Sequence, residues 1–136
     1  MRQSLSEKRT ALLAVGLSLV LAVVAIVDQS GGRSLFDHAA AAYAPYGKTI
    51  SSGTVYGLVY GVAVFNALVW LLVVALARTP RPIAVSAAVL AILLTLTAGL
   101  VLLLVTEYGV HPFPPLWGVL ALLPVLAGGF LLVRRT

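Results

Sequence analysis

The chain has 136 residues, 61% of them hydrophobic and only 10% charged, where soluble domains run at roughly 45–50% and 25%, which excludes an ordinary water-soluble globular fold. Nine Lys+Arg against four Asp+Glu give a formal charge of +5, which in so apolar a chain reports membrane orientation rather than a nucleic-acid partner. A sequence without cysteine has no disulfides, thiol redox chemistry, iron–sulfur cluster or cysteine-ligated zinc.

Four apolar runs are each long enough to cross a bilayer as a helix, which takes about 20 residues. The first, Ala11 to Val27, has 17 residues and follows Arg2, Lys8 and Arg9. It exceeds the usual apolar region of a signal peptide, and Val27-Asp28-Gln29 offers no small-x-small cleavage site, so an uncleaved span is expected. The second, Val55 to Ala77, has 23 residues and the third, Ile83 to Thr106, has 24. Only Arg78-Thr79-Pro80-Arg81-Pro82 separates them, which forces an antiparallel pair with Pro82 in the first helical turn, where proline is tolerated. The fourth, Leu116 to Val133, has 18 residues, entered through Pro112, Pro114 and Pro115 and stopped by Arg134-Arg135. Pro124 near its middle removes the donor that would satisfy the Leu120 carbonyl, so a kink is expected there. The predicted fold is an all-α integral membrane protein: an antiparallel four-transmembrane-helix bundle with a short extracytoplasmic interfacial helix, forming a single domain over residues 1–136.

Seven of the nine basic residues fall at one end of this bundle, in the N-terminal tail, the link between spans two and three, and the C-terminus. That end is cytoplasmic, and both termini with it. Seven arginines against two lysines among abundant Ala, Val and Leu suit a prokaryotic plasma membrane. Phe36, Tyr43, Tyr46, Tyr56, Tyr108, Phe113 and Trp117 lie near the outer boundary, as interfacial aromatics do.

The outer loop from Asp28 to Thr54 is too long for a simple connection. Ser34, followed three residues on by Asp37, resembles a capping box, and alanine-rich Leu35 to Tyr43 favours a helix capped by Ser34 and ending before Pro45. Phe36, Tyr43 and Tyr46 are the loop's candidate binding residues, placed to lie on the membrane surface or over the bundle mouth.

Much familiar chemistry is missing. His38 and His111 lie in outer loops, not as an in-span pair for haem. No span interior holds Asp, Glu, Lys, Arg or His, which argues against proton-coupled transport. Phosphate-binding loops and nucleophile motifs are absent too. Asp37, His38, Glu107 and His111 are the weak catalytic candidates, suited to acid–base work on a head group. Adjacent Asp37-His38 are not spaced to place two ligands on one helical face, so no metal or other cofactor is expected.

Within the bilayer, Ser18, Asn66, Ser86, Thr95 and Thr97 are polar. Serine and threonine bond their own helix readily; asparagine does so less well. Asn66 is expected to face the bundle, with Thr95 as its partner and Ser18 the alternative, since an unpaired amide at mid-bilayer is costly. Gly57-x-x-x-Gly61 permits close helix approach. At about 100° per residue, Asn66 lies about 180° from Gly57 and about 140° from Gly61, so one neighbour cannot cover both faces. Intrachain packing is the common use of such a motif, and the register across the short link sets Gly61 level with Gly99. Gly57, Gly61, Asn66, Thr95 and Gly99 are the expected packing residues.

Three functions compete: a non-catalytic accessory or scaffold subunit, a lipid or hydrophobic-ligand module, and an outer-face enzyme. The first is favoured, with the lipid bilayer and a membrane-protein partner or second copy of the chain as contacts.

Overall fold

The structure is a computed structural model that describes residues 2–106 and 109–135, giving only the backbone for 2–7 and 131–135. The elements are helices α1 (Arg2–Ser30), α2 (Ser34–Tyr43), a 3-10 turn (Ala44–Tyr46), α3 (Ser52–Ala75), α4 (Arg81–Leu104) and α5 (Pro115–Arg135). The four long helices alternate in direction. α1 packs on α3 and α5, and α4 on α5 and, less extensively, on α3. Lys8–Ser30, α3 and α4 are each long and apolar enough to cross a membrane, and Pro115–Phe130 is a shorter apolar helix.

The helix ends follow local chemistry. Ser51 caps α3, its Oγ accepting the Thr54 N–H at 3.1 Å. Pro82 sits in the first turn of α4, where its missing N–H costs nothing. The α2 start differs from the sequence expectation. Ser34 is the first helical residue, and the capping position is Arg33, a non-glycine residue with φ 54° and ψ 39° and no capping hydrogen bond of its own. The expected end before Pro45 holds, with Pro45 in the 3-10 turn.

Alanines line much of the helix–helix interior, around a few large buried side chains such as Trp70, Trp117 and Tyr56, while many leucines and valines face outward. Ala11, Ala14, Ala25, Ala63, Ala88, Ala91 and Ala121 are buried, whereas Leu13, Val23, Leu68, Leu93, Val101 and Leu126 are exposed. Soluble monomers rarely expose so many large apolar side chains together. Such an exterior suits acyl chains, with small residues bringing helix backbones together.

The core divides in two. One cluster, at the α2 end, gathers Leu21, Leu35, Val59, Leu102, Phe113 and Trp117; the other gathers Ala14, Trp70, Val73, Ala88, Ala91 and Ala127. Between them lie Ser18 of α1, Asn66 of α3, Thr95 of α4 and Pro124 of α5, all fully buried. Ser18 Oγ–H donates to Ala14 O of its own helix at 2.8 Å. Asn66 is inside, but its Nδ2–H donates to Ala121 O of α5 at 3.2 Å, not to Thr95. Thr95 instead accepts the Trp70 indole N–H at 3.0 Å. Pro124 lies inside α5, which stays helical through it; the carbonyl its missing N–H leaves free is that of Leu120, one residue before the one Asn66 reaches. Asn66 Oδ1 is buried with no hydrogen-bond partner among the described residues.

The glycines sort differently from the expectation of intrachain packing. Gly57 and Gly61 are exposed, and a Cβ built on either meets nothing within 4 Å. Gly99 faces α5 rather than α3, and a Cβ there would collide with the Leu122 side chain. Two glycines not singled out from the sequence matter more. Gly118 lies against the backbone of Leu103, and Gly128 receives the ring of Trp70.

Candidate functional site

The polar residues converge at the α2 end. Asp28, in the last turn of α1, is the hub. Its Oδ1 accepts the Ser34 N–H at 2.9 Å and the Ser34 hydroxyl at 2.6 Å. Its Oδ2 accepts the Leu35 N–H at 3.0 Å and the Tyr56 hydroxyl at 2.7 Å. A carboxylate has about four acceptor positions, so this one is fully used. It caps α2 from outside that helix, at the end where the dipole favours negative charge. The left-handed residue Arg33 makes this geometry, turning the chain so that the first amides of α2 face back to α1. Arg33 is held in turn over the Phe36 ring, its Cζ 4.9 Å from the centroid, within cation–π range.

α2 therefore lies across the bundle mouth, with Leu35 and Ala39 fully buried. Tyr56, Phe113 and Trp117 beneath are buried too, so these three are core residues rather than interfacial anchors. Replacing Asp28 with alanine is expected to release α2 while leaving the bundle folded. Hydrogen bonds to a charged group are worth about 1.5–3 kcal/mol each when buried, and with the partial exposure here about 2 kcal/mol in all is expected. Amide exchange over residues 34–43 should rise about 30-fold, with exchange in the interior of α4 unchanged.

On its other side α2 is clasped to the α4–α5 connection. The His38 Nε2–H donates to His111 O at 2.8 Å, and the His111 Nδ1–H donates to Val105 O at 3.1 Å. Both protons are assigned by the acceptors, since a carbonyl cannot donate. Around these rings is a pocket of about 570 Å³ lined by His38, Ala41, Ala42, Leu103, Gly109, Val110, His111, Phe113 and Pro115.

Of the four acid–base candidates, the structure brings together His38 and His111. Asp37 is exposed and does not line the pocket, and Glu107 lies outside the described residues. Among the described residues, no three His, Cys, Asp or Glu side chains converge as a metal site would require. Phe36, Tyr43 and Tyr46 do not line the pocket either. Phe36 packs on the outer core cluster, Tyr43 is half-buried and Tyr46 is exposed in the 3-10 turn. Sequence reading missed Asp28 as a cap, because the donor and acceptor belong to different helices. The Gly31-Gly32 turn between them was the available signal.

Comparison of the chain with family models, with curated proteins and with solved structures finds no match to any of them.

Proposed function

We propose that the chain is a four-span protein of a prokaryotic plasma membrane, with both termini cytoplasmic, acting as a non-catalytic accessory subunit that packs against a transmembrane helix of a partner. The observation that carries this reading is the outward face of α3. Gly57 and Gly61 lie one turn apart with open space above both, and Gly53 continues the row one turn earlier. The chain's own close approaches use other glycines, Gly99, Gly118 and Gly128, so the α3 row plays no part in folding the bundle. Small residues in this spacing are what a neighbouring helix needs for close backbone contact in a bilayer. Span interiors without ionisable residues favour a packing role over transport. The orientation rests on Lys8, Arg9, Arg78 and Arg81, which share the end of the bundle opposite α2.

Because the native sequence has no cysteine, a single Gly57→Cys carrying a photocrosslinker can interrogate this face in native membranes. One defined partner chain should be trapped, and Gly61→Leu should abolish trapping without altering the bundle. Crosslinks only to lipid, or only to a second copy of the chain, would overturn the accessory reading.

A further inference from the structure

We propose that the pocket under α2 holds the head of a single-chain lipid bearing a free hydroxyl, of the monoacylglycerol kind, with its tail lying along α4. The proposal rests on the membrane placement above but not on partner docking at α3. Its first support is the pair of rings. His38 and His111 each direct an N–H to a backbone carbonyl, and a neutral imidazole that donates from one nitrogen accepts at the other. In the neutral form each imidazole therefore offers one acceptor to a ligand. A hydroxyl head supplies the donors they need, whereas a carboxylate or phosphate head brings acceptors to acceptors.

The second support is the shape of the surroundings. Ala41, Ala42, Leu103, Val110 and Phe113 make the pocket wall apolar around the two rings, the usual composition of a small-ligand site, and about 570 Å³ falls within the usual size range. A second hollow of about 520 Å³ lies on the outward face of α4, lined by Thr97, Leu100, Val101, Leu104 and Val105. The two meet at one hydrogen bond, because Val105 lines the groove and its carbonyl holds the ring of His111 in the pocket. From Thr97 to Leu104 the groove follows about 10 Å of helix. Leu104 and Val101 are strongly exposed, so a tail there remains within the acyl region of the bilayer while its head reaches the imidazoles.

The test uses the full chain in nanodiscs of phosphatidylcholine and phosphatidylglycerol, without any partner protein, and a monoacylglycerol carrying a diazirine on its tail. Adducts are expected to concentrate on residues 97–105 and to fall about fivefold with excess unlabelled monoacylglycerol. Equal amounts of fatty acid or of a monoalkyl phosphate, which has an acidic head and no alcohol hydroxyl, should leave them in place. Ala42→Phe, which fills the pocket and keeps both histidines, should reduce adducts as competitor does, with gel filtration verifying its fold. Adducts spread evenly over the exposed leucines of every helix would overturn the site. Equal competition by the two acids would overturn the head-group assignment, and both readings come from the unmutated chain.

Discussion

Replacing Gly118 with alanine is expected to lower bundle stability by about 2–3 kcal/mol, the upper part of the usual range for overpacking. A methyl group there would lie 2.7 Å from Leu103 Cβ and 2.9 Å from Leu103 Cα. Neither atom can swing away, so α4 and α5 must separate along their length. Gly99→Ala on the facing helix should cost less, because the obstacle is the end of the Leu122 side chain, which has other rotamers. Gly57→Ala, with open space around it, should change stability by less than about 0.5 kcal/mol. Unfolding by sodium dodecyl sulfate from mild micelles, followed by circular dichroism, measures all three. The reverse order would show that α4 and α5 do not meet through Gly118.

Asn66→Asp is expected to cost about 3 kcal/mol or more, whereas Asn66→Leu should stay within about 1 kcal/mol of the native chain. The aspartate loses the amide that reaches Ala121 O at 3.2 Å and sets a carboxylate against a carbonyl at mid-bundle. A charge at that depth costs about 2.5–3.5 kcal/mol even on insertion scales. Leucine loses the same hydrogen bond, worth about 0.6 kcal/mol on average in a bilayer. It also removes Oδ1, which is buried without a partner, and deleting an unsatisfied acceptor recovers part of that loss. The same detergent titration decides. A leucine variant as damaged as the aspartate would mean that Oδ1 has a partner after all.

The long helices were legible because each depends on composition alone: runs of 17 to 24 apolar residues leave a helix no alternative in lipid. The burial of Asn66 opposite Gly57 and Gly61 was legible from helical period. What period does not carry is the identity of the neighbour. Asn66 finds Ala121 and Thr95 finds Trp70, choices set by how four helices are arranged in a ring. Gly118 and Gly128 show no recognisable spacing, since each is complementary to a side chain on another helix. At the candidate site, the histidines and the α2 helix were readable. The Asp28 cap and the Ala41, Ala42 and Phe113 walls were not, because they come from folding α2 back over the mouth.

The division of the core carries a consequence for observing the protein. Its two tryptophans are distributed one to each cluster, Trp117 under α2 and Trp70 beyond the polar layer, and both are almost completely shielded from solvent. The native emission is thus the sum of two dry indoles, of which the one at position 70 alone donates to a threonine hydroxyl. Each half of the molecule contains its own optical reporter, so Trp70→Phe and Trp117→Phe variants would follow the loosening of one end at a time without attaching a dye.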